Sequence, residues 1–157
     1  MSKFILLAIV IGLFVFFIVR QNGNKAAAKI NIKLGNEFLE SNKKAEGVIE
    51  TASDLQYKIL TQGNGSEHPS ALSKVKVHYH GTLLDGTVFD SSVDRGEPIS
   101  FGLNQVIKGW TEGVQLMVVG DNVRFYIPSS LGYGNRPAGK IGPGALLIFD
   151  VELLAIN

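Results

Sequence analysis

Aromatic residues recur through every segment of the C-terminal two thirds of the chain: Tyr79, Phe89, Phe101, Trp110, Tyr133 and Phe149, with Trp110 the only tryptophan. One reading is a plain core. Two features point elsewhere. Tyr133 lies in a glycine-rich loop, where a core aromatic is not expected. Asp90 directly follows Phe89 beside a run that should be buried, and a carboxylate there needs a partner such as Tyr79 or Arg95. An aromatic cup with few polar groups suits an uncharged, apolar ligand. Other chemistries find less support. Ser91 and Ser92 follow Asp90, but no G-x-S-x-G elbow is present. No phosphate-binding loop signature occurs. His78 and His80 share one face of a strand, and such a pair can in principle hold zinc. No cysteine or nearby third histidine completes the set, so they read as surface or edge-strand residues. His68 reads as a loop residue. No metal and no cofactor are expected.

The segments that must position these residues are short. Residues 55–60 read as a strand closed by Gly63-Asn64-Gly65. Val75, Val77 and Tyr79 alternate with Lys76, His78 and His80, the period of a half-buried strand. Asp85-Gly86 is a strong hairpin signal joining it to residues 87–90. Residues 98–101 form a further short strand. Residues 106–116 are helix-like, with Ile107, Trp110, Val114 and Met117 near one face. Residues 122–127 make a strand ended by Pro128. Residues 129–144 form a long Gly/Pro-rich loop, and residues 146–156 the last strand. Several short strands, one helix and a long loop predict a curved α+β domain.

The chain has 157 residues, 45% apolar and 18% charged, which excludes a wholly disordered polymer. Its formal charge of +1 supplies no field to recruit nucleic acid. From residue 51 on, eight basic and ten acidic residues leave that part negative, so the basic excess sits before it.

Residues 4–19 hold no polar side chain. As a helix they span roughly 24 Å, short of the bilayer's hydrocarbon core of about 30 Å, but Lys3 and Arg20 can snorkel to extend the reach. A cleaved secretory signal is the rival, with Ala26 and Ala28 as an A-x-A-like site. The length of the run and Arg20 at its end favour an uncleaved anchor. Residues 21–25 read as a polar tether. A helical stalk follows from Ala26 to Lys44, with a narrow stripe of Ile30, Leu34, Phe38 and Leu39 and a stop at Gly47. The stalk is either solvated or a docking or dimerisation helix. The expected division is an anchor over residues 1–20, a tether and stalk over 21–50, and a body over 51–157.

Six motifs in order make the body recognisable: Val77-His78-Tyr79-His80-Gly81, Asp85-Gly86-Thr87-Val88-Phe89-Asp90-Ser91-Ser92, Val106-Ile107-Lys108-Gly109-Trp110, Ile127-Pro128, Leu131-Gly132-Tyr133-Gly134 and Leu147-Ile148-Phe149-Asp150-Val151-Glu152-Leu153. The chain resembles the FKBP-type peptidyl-prolyl cis-trans isomerases over residues 51–157. Its lead-in, Glu37-Phe38-Leu39 and Gly47-Val48-Ile49-Glu50-Thr51, is similar to bacterial members related to macrophage infectivity potentiators.

The resemblance implies a half-open antiparallel sheet of five or six strands wrapped on a short helix. It implies a pocket floored by Trp110 and walled by Tyr79, Phe89, Phe101 and Phe149, with Val106 and Ile107 at the rim and the Ile107 amide as a donor. Tyr133 offers its hydroxyl, Ile141 lies at the far end of the loop, and Asp90 is a buried carboxylate. Tyr79, Asp90, Ile107, Tyr133 and Phe149 are the expected catalytic set. Phe89, Ile99, Phe101, Val106, Trp110 and Ile141 are the expected substrate-binding set. Ile99 stands where many relatives carry an aromatic, and residues 134–144, with Arg136 and Lys140, depart from the best-known eukaryotic members.

The implied activity is cis-trans isomerisation of X-Pro bonds in folding proteins. The alternative is a membrane-anchored chaperone or peptide-binding module. The implied partners are proline-containing polypeptides, macrolide inhibitors of the rapamycin type, a membrane through the N-terminal segment, and a second copy through the stalk. The expected location is the bacterial inner membrane. The positive-inside rule puts the body in the cytoplasm, whereas the resemblance puts it in the envelope.

Overall fold

The computed structural model describes residues 3–157, with side chains from residue 8 on. It opens with one helix, α1 (Lys3–Asn42), and continues through strands β1 (Val48–Glu50), β2 (Gln56–Thr61), β3 (Lys74–Thr82) and β4 (Val88–Ser91). Next come a single-turn helix α2 (Ser92–Arg95), strand β5 (Ile99–Gly102), helix α3 (Lys108–Val114), and strands β6 (Asn122–Ile127) and β7 (Leu147–Ile156). The strands form one sheet in the order β1-β2-β6-β7-β3-β4, with β5 also pairing β3, and every pairing is antiparallel. The sheet therefore has seven strands rather than five or six. The addition is β1, three residues that pair with β2 immediately before residue 51.

Alternation places the core. Val75, Val77 and Tyr79 on β3 and Leu147, Phe149, Val151 and Leu153 on β7 are buried on one face of the sheet. There they meet α3, whose Trp110 and Val114 close the core with Leu103 and Met117. Gly109 and Gly113 allow this approach. A Cβ on either would stand 2.7 Å from Ile127 or 2.6 Å from Phe125, so any larger residue would lift the helix off the sheet. β3 lies between β7 on one side and β4 and β5 on the other. His78 and His80 are thus on an interior strand, not an edge. Their Nδ1 atoms are hydrogen-bonded to Ser92 Oγ at 2.9 Å and Ser91 Oγ at 2.8 Å.

The opposite face receives the C-terminal half of α1. Leu39, Tyr126 and Leu146 form a second buried cluster with Phe38, Val48 and Ile148 against it. Gln56, fully buried, accepts from Asn42 Nδ2 at 2.9 Å and donates to the Leu39 carbonyl and to Glu50, each at 2.9 Å. The Leu39 carbonyl also accepts the Lys43 amide at 3.0 Å, so Gln56 adds a second bond at the C-terminal end of the helix.

Two expectations for the N-terminal part are corrected. Residues 21–25 are not a tether, because α1 runs through them without a break. Among the described residues no helix is long and apolar enough to cross a membrane, which overturns the single-pass anchor and the inner-membrane placement drawn from it. The apolar run of residues 4–19 covers roughly 24 Å as helix against a hydrocarbon core of about 30 Å. Arg20-Gln21-Asn22 then continues the same helix as polar sequence. Met1 and Ser2, and the side chains of residues 3–7 with which the expected span begins, lie outside what is described.

Candidate active site

A cavity of about 540 Å³ opens between α3, the inner face of the sheet and the loop after β6. Trp110 is buried at its floor, 5% exposed, because α3 turns it toward β3 and β7. Tyr79, Phe101 and Phe149 surround it with ring centroids 5.4, 5.3 and 5.1 Å away, and Tyr79 and Phe149 meet it edge-on. Ile99 and Phe101 from β5, Val106 and Ile107 from the turn into α3, and Tyr133 from the long loop complete the lining with Asp90. Gln105 also lines the cavity. It ends the 3-10 turn Leu103–Gln105, and the only sequence signal for it was its place beside Val106.

Two expected pocket residues stand elsewhere. Phe89 is not on the cavity: it lies behind Phe149, its ring centroid 5.2 Å away and perpendicular. Ile141 is buried in the core beneath the loop, its backbone paired in both directions with Ala138 at 2.9 Å. Both support the lining without forming it.

Asp90 is also corrected. It is not buried, and 45% of its side chain is exposed, because β4 is the edge of the sheet and carries it at the rim. It is nonetheless fully engaged. The Tyr79 hydroxyl donates to its Oδ2 at 2.5 Å, and Arg95 Nη1 pairs with its Oδ1. Arg95 Nη2 donates to the Tyr79 oxygen at 2.9 Å, and the guanidinium lies 5.7 Å from that ring's centroid. The single turn of α2 makes this triangle possible. Ser91 caps it by accepting the Asp94 amide at 3.1 Å, and Gly96 ends it with φ +73°, so Arg95 folds back over the end of β4. Partial burial raises the Asp90 carboxyl, but bonds from Tyr79 and Arg95 outweigh it and hold the group below its ordinary value. Burial, then the bond to Asp90, pushes the Tyr79 phenol up despite Arg95.

The free donors face a mostly apolar enclosure. Among the described residues the Ile107 amide and the Tyr133 hydroxyl have no acceptor. The buried Trp110 Nε1 has none either. Tyr133 is 43% exposed at the mouth. The arrangement offers an apolar seat for a compact ring and donors for flanking carbonyls. It offers no nucleophile activated by a base.

Residues 65–154 match the FKBP-type peptidyl-prolyl cis-trans isomerase family. The chain belongs to that family. Residues 15–59 match the domain amino-terminal to FKBP-type peptidyl-prolyl isomerases. The FKBP-type isomerase FkpA of Aeromonas hydrophila is 60% identical over 127 residues, covering 81% of this chain and 47% of that protein. The FKBP-type 22 kDa isomerase of Escherichia coli is 51% identical, covering 78% of this chain and 59% of that one. The chain thus spans about half the length of the curated relatives it matches. Among solved structures, FkpA from Escherichia coli superposes with a TM-score of 0.89 at 35% identity, covering all of this chain and 74% of that one. A peptidyl-prolyl cis-trans isomerase from Pseudomonas syringae gives 0.75 at 38% identity, covering 82% and 95%. The FKBP aromatic cup described above lies within the matched span.

Proposed function

We propose that this FKBP chain accelerates rotation about X-Pro bonds of polypeptides seated in the aromatic cup. The observation that carries the reading is the Trp110 floor ringed by Tyr79, Phe101 and Phe149. The barrier to X-Pro rotation is close to 20 kcal/mol, and no bond to carbon breaks. The planar amide is more charge-separated than the twisted one. Transfer from water into an apolar cup therefore penalises the planar state more, and a site that favours the twisted state raises the rate. A thousandfold acceleration requires about 4 kcal/mol.

Trp110 and Phe149 seat the proline ring, with Ile99, Phe101 and Val106 as walls. The Ile107 amide and the Tyr133 hydroxyl orient the flanking carbonyls. Asp90 and Tyr79, joined by Arg95, hold the polar rim. Residues 51–157, with β1 before them, carry this activity, and α1 is an arm. The volume of the cup suits a drug-sized ligand, which supports competition by macrolides of the rapamycin type. The exposed Ile30 and Leu34 on α1 support pairing with a second copy along that helix. The exposed apolar stretch from Ile9 to Val19 favours holding of apolar client segments as a second role.

The test is the cis-to-trans rate of a short X-Pro peptide with the chain and with Trp110→Ala and Phe149→Ala. Wild type accelerates the exchange, and each variant, if folded by circular dichroism, loses at least tenfold in kcat/KM. Unchanged rates in folded variants would overturn the assignment. Suppression of aggregation that does not depend on proline, without isomerisation, would favour the holding role instead.

A further inference from the structure

α1 touches the loop that presents Tyr133. Asn31 Nδ2 donates to the Pro143 carbonyl at 2.9 Å. A Cβ on Gly144 would stand 2.6 Å from the Ala28 carbonyl oxygen and 3.0 Å from the Ala28 Cα. The two backbones are therefore in direct contact, and Gly144 adopts φ +73° there, a conformation that favours glycine. Ala28 is buried by this contact, at 2% exposure. Two turns on, a Cβ on Gly35 would reach Leu146 at 3.2 Å.

The contact continues to the active site through the backbone. The Gly144 amide donates to the Gly134 carbonyl at 2.8 Å and closes the base of the loop. The Gly134 amide donates to the Ser129 carbonyl at 2.8 Å. Tyr133 is the residue next to Gly134. Its ring is half exposed and its hydroxyl has no partner among the described residues, so its placement at the cavity mouth depends on this backbone rather than on its own packing.

We infer that α1 braces this loop, and that Asn31 and Ala28 are positioning residues which act on the isomerase site through Tyr133. The brace stands on the contacts alone; its kinetic effect rests on the isomerase reading above.

The test uses the full chain with Asn31→Ala, Ala28→Leu, and Lys33→Ala as a control on an exposed position of the same helix. Hydrogen exchange reads the brace without substrate. Asn31→Ala lowers protection of the Gly134 and Gly144 amides about fivefold, the factor expected for one ordinary hydrogen bond. Ala28→Leu lowers it further, because the added side chain has no room, and Lys33→Ala leaves it unchanged. Unchanged protection in both Asn31→Ala and Ala28→Leu would overturn the brace.

Peptide kinetics read the positioning role. Both variants raise KM by about the same factor as the loss of protection, with kcat little changed. The effect disappears in a Tyr133→Phe background. Loosened exchange with wild-type KM, or an equal rise in KM in that background, would overturn action through Tyr133. A wild-type chain that does not isomerise the peptide would strike the isomerase reading and leave the exchange result to decide the brace.

Discussion

Gly81 lies midway along the path from fold to site, and Gly81→Ala separates them. It is on β3, opposite Asp90 on β4 and Phe149 on β7. The register of β3 against β4 shifts between Gly81 and Thr82, but the φ of Gly81 lies outside the left-handed region, so alanine is allowed conformationally. The added Cβ is not allowed sterically. It would stand 2.6 Å from Phe89 Cζ and 2.8 Å from Phe149 Cε1, about 0.6 to 0.8 Å short of the 3.4 Å at which ordinary contact begins. Both rings must move, and overpacking of this kind costs about 1–3 kcal/mol. Because Phe149 walls the cavity and Phe89 stands behind it, part of the displacement goes into the cup. We expect a stability loss of about 1–3 kcal/mol by urea unfolding. We expect a fall of about tenfold in kcat/KM for a proline peptide, equivalent to about 1.4 kcal/mol of transition-state binding. Adding Phe89→Leu clears two of the three clashing atoms and lets Phe149 swing back, so the double variant recovers most of the activity without recovering all of the stability. A Gly81→Ala chain with wild-type kcat/KM, or a double variant as slow as the single one, would refute the placement of these rings.

Two further outcomes follow from the polar rim. Tyr79→Phe keeps the ring beside Trp110 and removes the hydroxyl shared by Asp90 and Arg95. It should cost about 1 kcal/mol or less of stability, since the ion pair it joins is half exposed, and lower kcat/KM less than fivefold. A loss above tenfold in the peptide assay would put that hydroxyl on the substrate. The rate should also be flat between about pH 5 and pH 9, because Asp90 is held below its ordinary value and Tyr79 above its own. Asp90's contribution to stability is present above the unfolded carboxylate value and lost as pH falls through its lowered one. Tyr79's is complete below the unfolded phenol value and lost as pH rises through its raised one. A bell-shaped profile inside that window would indicate proton transfer and refute catalysis by desolvation alone.

Strands whose two faces differ are legible in the sequence alone. The alternation of Val75, Val77 and Tyr79 with polar neighbours, the Asp85-Gly86 turn and the Pro128 stop each act within a few residues, and β3, β4 and β6 lie where those signals put them. β1 was not legible, because a three-residue strand has no period to read and exists only through its pairing with β2. The supposed tether carries polar residues, and polarity does not distinguish a linker from an exposed helix. The exposure of Asp90 does not follow from the apolar residues just before it in sequence, because it depends on its strand lying at the edge of the sheet.

The sequence by itself determined the family, the set of aromatic residues and the strands and helix that carry them. Those properties reside in ordered motifs and in local periodicity. Only the tertiary structure decided which rings meet: Phe149 against the Trp110 floor, Phe89 behind it, Ile141 beneath the loop and Gln105 on the lining. It also decided that Arg95 closes on both Tyr79 and Asp90, and that Asn31 reaches Pro143 across more than a hundred residues. The physical reason is that periodicity tells a side chain which face to take, whereas the neighbour it meets there is set by register, sheet order and close packing between segments far apart in the chain.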